Sequence, residues 1–343
     1  MSWLEELDAS LAVTTYQVGK LVLLGRSNGR LTTSERSFRR AMGVSTDGQT
    51  LWLATAYQVW RMEHQFDNNA RASGYDRLFV PRIAYTTGDL DLHDIAIDTS
   101  GQPLFVATLF NCLGTVSTEQ SFEQVWRPPF ISGLAAEDRC HLNGLAMVDG
   151  EPRFVTLCYQ SDINRAWKSH RMHGGELWST TADEPIVTGL SMPHSPRWHD
   201  GRLWLLNSGT GYLGSVDLER GEFQPVAFVP GYARGLAFVD HYAIVGLSRP
   251  REQNKFGGLA LDDELAKRGM TSYTGLAIVD LVSGETVHTL EIQGRIAELY
   301  DVAVLRGIKR PAALGLTPES LRYNVWADAD GSRRHWRRTP KKK

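Results

Sequence analysis

One position in a repeated unit is occupied by Ala41, Asp94, Asn143, His194, Arg234 and Asp301. Five of these six residues are polar, yet each heads an otherwise apolar stretch. Burying unpaired polar groups is costly, so this column must meet itself, water or a ligand. His141 lies two residues before Asn143 and shares its side of a strand of period two. His93 and Tyr300 adjoin the column, and Glu298 stands three residues before Asp301. Imidazole with carboxylate suits a divalent metal. Asp94, His141, Asn143, His194 and Asp301 form a candidate set for Zn, Mn or Fe, or for Ca where oxygen ligands dominate. Such a metal would polarise a carbonyl or activate water, with His141, His194 or Asp94 as catalytic acid or base. Arg234, Arg249 and Arg251, helped by Tyr300 and Asn207, would hold a carboxylate, phosphate or sulfate. The competing reading is a water-filled polar plug that ties the repeats together.

The elements that carry the column are hairpins. Asp94 to Gly101 runs into Leu104–Thr108, and Asn143 to Gly150 runs into Phe154–Leu157. His194 to Gly201 leads to Leu203–Leu206, and Arg234 to Asp240 leads to Tyr242–Val245. An earlier copy starts at Ala41 and a last one at Asp301. Each is an apolar strand, an Asp/Gly-type turn and a second apolar strand. The first five copies lie about 40 to 53 residues apart, the period of a four-stranded propeller blade. Six copies predict an all-β, six-bladed β-propeller, with seven blades as the alternative. The N-terminal strands, Val13 to Leu24 and Arg30 to Ser34, are placed to complete the blade begun at Asp301, which removes free sheet edges. The longer gap before Asp301 holds a partly helical insertion, Glu252 to Met270, read as a loop over one face. The expected domains are one propeller over 1–315 and an appendage over 316–343 that ends in a basic disordered tail.

The loops after the second strands add Thr108, Asn111, Tyr159, Asn207, Ser208, Ser248, Arg249 and Arg251 to the same face. A net charge of −2 over 343 residues points away from nucleic acid and acidic membranes. The three cysteines, Cys112, Cys140 and Cys158, have no disulfide spacing and read as small buried hydrophobes. No leader pattern and no apolar run of membrane-spanning length is present, so the cytoplasm is the expected location.

The segments His141–Ala146, Pro193–Arg197 and Gly246–Arg251 resemble a bacterial family of conserved proteins of unknown function. The likeness covers most of the chain and implies a propeller without an established activity. A more distant similarity is to the gluconolactonase, regucalcin and strictosidine synthase superfamily of six-bladed propellers. Its Asn-Gly-Leu strand start supplies a metal ligand, and Asn143-Gly144-Leu145 looks like it. That superfamily's first-blade Glu corresponds to Ala41, and His194 and Arg234 stand where its later ligands would be. The histidines fit instead a transition metal, as in some propeller lyases. The expected function is a metal-assisted hydrolase, lyase or isomerase on a small polar or anionic molecule at the channel mouth. The alternative is a non-catalytic propeller scaffold that binds a protein or ligand.

Overall fold

The computed structural model describes residues 3–65, 74–249, 258–317, 321–329 and 332–337. Its strands form six sheets of four or five strands, and these are six blades around a central channel. Blade 1 runs outward from Val44–Thr46 through Thr50–Ala54 and Gln58–His64 to Arg77–Thr86. Blade 2 begins at Leu92–Ile97, blade 3 at Leu142–Val148, blade 4 at Pro193–His199 and blade 5 at Tyr232–Val239. Blade 6 joins the two ends of the chain. Its inner strand, Val302–Arg306, pairs antiparallel with Ala9–Thr15, from Ala9 opposite Arg306 to Val13 opposite Val302.

The hairpins arise from their turn residues. Asp149-Gly150 and Asp200-Gly201 place both residues at positive φ, the geometry that suits a right-twisted two-residue hairpin. The cores lie between blades. Leu21 and Leu23 of blade 6 pack with Leu51, Leu53 and Met62 of blade 1, all fully or nearly fully buried. Alternate hydrophobic side chains of each strand fill these seams while the partners face the next seam.

Polar latches stitch the inner ends. Hydroxyls at the ends of second strands donate to the carbonyl that leads into the next blade. Thr14 reaches Met42 (2.5 Å), Thr108 reaches Leu142 (2.6 Å), Ser208 reaches Ala233 (2.7 Å) and Ser248 reaches Leu299 (3.0 Å).

Two features depart from expectation. Blade 1 gains a fifth strand, Pro311–Ala313, parallel to Arg77–Thr86, which covers its outer edge. Within the appendage expected over 316–343, Asn324–Ala329 pairs as a hairpin with Ser332–Arg337, which takes in part of the basic tail read as disordered. The insertion, between the second and third strands of blade 5, contains the helix Ala260–Arg268, which ends at Gly269 in the left-handed conformation. Its Leu261 and Leu265, with Leu259, pack beside Trp167, Met192 and Tyr232 on one face of the ring. Among the described residues no helix is long and apolar enough to cross a membrane.

Candidate functional site

Four of the column residues turn inward where the inner strands of blades 2 to 5 are bulged. Pairing slips between Leu92 and Ile95, Leu142 and Gly144, His194 and Arg197, and Ala233 and Leu236. A bulge turns a side chain out of the regular alternation, and here it aims Asp94, Asn143, His194 and Arg234 at the channel. Together with Asp301 they line an inner chamber of about 10 Å³. Above it opens an outer pocket of about 620 Å³. His93, Arg234 and Tyr300 line both and form a collar between them.

Below the chamber the carboxylates are engaged. Arg197 of blade 4 grips Asp94 of blade 2 with both nitrogens, at 2.7 and 3.0 Å, and stands 3.6 Å from Asp301 of blade 6. Asp94 also accepts the Leu145 amide (3.0 Å), Asp301 the Val44 amide (2.9 Å) and Ser195 the Gly235 amide (3.0 Å). These three contacts cross from one blade to another. Burial pushes Asp301 up to about 7, against the pull of Arg197 and with the help of Asp94. Asn143 is likewise occupied within its own blade. Its side-chain oxygen accepts from Thr156 (2.7 Å), and its nitrogen faces the Cys158 sulfur at 3.4 Å.

The outer pocket holds a histidine–carboxylate pair. His141 and Asp138 both adopt left-handed backbone, in a loop that Asn111 clamps by accepting the amides of Arg139 (2.8 Å) and Cys140 (3.0 Å). Asp138 accepts from Nδ1 of His141 at 3.0 Å and from the Trp167 indole at 3.0 Å. Trp167 in turn stacks on the His141 ring, with centroids 4.0 Å apart. A carboxylate cannot donate, so Nδ1 of His141 carries the proton and Nε2 is left as the basic nitrogen. His93 approaches edge-on at 4.9 Å. Its Nδ1 donates to the Asp91 carbonyl at 2.8 Å, and burial lowers its pKa to about 4 despite nearby Asp91, so it is neutral. Asp91 itself is held below the usual carboxylate range. Burial opposes this, but the charges around it, Arg40 and Arg234 among them, outweigh it.

Arg234 donates to Glu298 at 2.8 Å and lies over the rings of Tyr232 and Tyr300. The pocket's rim carries Arg165, Lys168 and Arg171 from the segment around Trp167.

The expected residues thus separate into three places. His141, Arg234 and Tyr300 line the outer pocket, and Asp94, Asn143, His194 and Asp301 lie in the inner chamber. Arg249 and Asn207 lie apart from both. Arg249 is half-exposed and paired with Glu291 at 3.2 Å, and Asn207 caps the Ser191 amide at 2.8 Å. Arg251 falls outside the described residues. Among the described residues no three His, Cys, Asp or Glu side chains come together as a metal-ligating group. Asp138, Trp167 and Arg197 were not singled out as site residues. Asp138 was legible as a carboxylate three residues before His141, and Arg197 as a charge inside an inner strand.

A family model described as a domain of unknown function, DUF4915, matches residues 1–314. The chain belongs to this family. No curated protein matches its sequence. Solved structures are similar in fold. A chain of the nidogen/laminin complex is 10% identical with a TM-score of 0.55, covering 87% of this chain and 99% of its own. A protein of unknown function from Bacteroides caccae is 10% identical with a TM-score of 0.51 and the same coverage. A streptogramin B lyase is 11% identical with a TM-score of 0.46, covering 93% of this chain and 86% of its own. At such identities the likeness is one of fold alone, and what this family member does rests on its own site.

Proposed function

We propose that the outer pocket binds a small anionic molecule and that His141 moves a proton on it, as in an isomerase, a lyase or a hydrolase. The observation that carries this reading is the Asp138–His141 pair, locked beneath Trp167 in a pocket rimmed by Arg165, Lys168 and Arg171. Asp138 sets the tautomer and holds the ring, so Nε2 is aimed without further ordering. A positioned base of this kind contributes on the order of 10²–10⁴ in rate. The cationic rim suits a carboxylate or phosphate and would stabilise negative charge that develops beside it. His93, neutral and edge-on to His141, is the second proton carrier. Location in the reducing cytoplasm accords with three buried cysteines that form no disulfide.

A metal-assisted form is the second reading. His93, His141 and His194 each have Nδ1 occupied by an oxygen, the outer-shell pattern that metal-binding imidazoles share. Asp94, Asn143 and Asp301 are already satisfied by Arg197, Thr156 and backbone amides, so no step is routed through a metal here. Elemental analysis of protein purified without a metal-binding tag tests this form. A stoichiometric metal lost in His141→Ala/His194→Ala supports it, and its absence in wild type removes it.

The main test is a thermal-shift screen of carboxylates and phosphate esters on wild type and His141→Ala. Ligands that stabilise both proteins, but turn over only with wild type, support the reading. Failure of every ligand with normal folding would leave a non-catalytic binding scaffold.

A further inference from the structure

The inner chamber contains two buried polar atoms that the blade-to-blade contacts do not use. His194 is 4% exposed, and its Nδ1 lies 2.8 Å from the Met192 carbonyl. A carbonyl only accepts, so Nδ1 carries the proton and Nε2 presents a lone pair. That Nε2 is buried with no hydrogen-bond partner among the described residues. The hydroxyl of Tyr300, 5% exposed, is in the same state. Burial holds His194 well below its ordinary pKa and Tyr300 well above, so both are neutral near pH 7. Buried polar atoms without partners are uncommon, and each calls for an occupant or an explanation.

The two side chains line the same space, about 10 Å³, which is the room one water-sized group requires. The rest of the lining is mixed, since Asp94, Asp301 and the Asn143 oxygen already accept from Arg197, Thr156 and backbone amides while Arg234 donates, so it is the lone pair of His194 that calls for a donor. The collar of His93, Arg234 and Tyr300 joins it to the outer pocket above. Arg197 and its two carboxylates close the other side.

We infer that the inner chamber is a subsite for a single hydrogen-bond-donating atom, filled by water in the free protein and by the hydroxyl end of the ligand in the complex. The inference rests on the reading of the outer pocket as an anion site and narrows its ligand class. The carboxylate of a short hydroxy acid sits among Arg165, Lys168 and Arg171, and its hydroxyl passes the collar to His194 and Tyr300. A hydroxyl suits both orphans, since it donates to Nε2 of His194 and accepts from the Tyr300 phenol.

Two measurements test it. The first is a high-resolution crystal structure of the unliganded protein. A water within hydrogen-bond distance of Nε2 of His194 is expected, and an empty chamber would overturn the inference. The second compares binding of 4-hydroxybutyrate and butyrate by calorimetry to wild type, Tyr300→Phe and His194→Leu. Wild type is expected to favour the hydroxy acid at least about tenfold, because the analogue leaves buried partners unmet. Tyr300→Phe keeps the ring and is expected to lose most of that preference. Equal affinities in wild type, or an unchanged preference in both variants, would overturn the ligand half. Should neither acid bind, the anion reading of the outer pocket falls with the ligand half, while the crystallographic water still decides what the chamber accepts.

Discussion

Replacing Arg197 by Met removes one guanidinium and leaves two buried carboxylates, Asp94 and Asp301, each 4% exposed as side chains, facing one another. Breaking a buried ion pair from one side costs roughly 3–5 kcal/mol, because the orphaned charge stays behind. For 343 residues the unfolding entropy is about 0.7 kcal/mol/K, so the melting temperature should fall by about 4–7 °C at pH 8. The loss should shrink at pH 5. Asp301, already raised to about 7 by burial, rises further without Arg197 and is protonated there. The direction follows from linkage. A carboxyl whose folded pKa exceeds its unfolded value adds stability below about pH 4 and loses it as pH rises through about 7. The assay is thermal unfolding followed by circular dichroism at pH 5 and pH 8. Adding Asp94→Asn and Asp301→Asn to the Met variant should recover much of the loss. A Met variant that melts within 1 °C of wild type at pH 8, or that loses equally at both pH values, would refute this account of the channel.

Other consequences are equally direct. Asn111→Ala strands two amides of the His141 loop and should cost about 2 kcal/mol in urea unfolding. In any turnover assay it should lower kcat more than it raises KM. Gly235→Ala should destabilise the ring strongly, since Gly235 sits at φ +75° and an added Cβ would lie 2.7 Å from Cα of Asp301. Expression of that variant as folded monomer at wild-type yield would count against the tight approach of blades 5 and 6. Burial pushes the Cys112 thiol up to about 12 and raises those of Cys140 and Cys158 as well. A thiol reagent at pH 8 should therefore leave the native protein unlabelled and react with all three cysteines only in denaturant.

Much of this architecture could be read from the chain because its determinants are local. An Asp- or Gly-bearing turn between two apolar runs favours a hairpin, and a unit repeated six times specifies a ring. The polar column followed from the same alignment, and four bulged inner strands together with the start of the last one bring five of its residues to one chamber. What escaped was non-local. Pro311–Ala313 joins Arg77–Thr86 in parallel, a pairing that no nearby turn announces. Arg197 reaches inward because the strand slips between His194 and Arg197, so counting by twos from His194 misplaces it. Asp138 and Trp167 flank His141 only because Asn111 folds one loop and a short 3-10 turn brings up the other. Arg249 shows the converse error. It follows a second strand as expected, yet it pairs with Glu291 outside the pocket.

The closure of the last blade also dictates an order of assembly. Ala9 cannot find its partner until Arg306 has been synthesised. At roughly 5–20 residues per second, the first three strands wait for tens of seconds on the ribosome with one edge unsatisfied. Ala9–Thr15 is buried along its whole length in the finished ring, so it is an apolar edge throughout that interval. Blades 1 to 5 can fold in sequence as they emerge, but the circle, the Arg197 cluster and the chamber beneath His194 all await the final inner strand. The closed channel is therefore the last part of this protein to form.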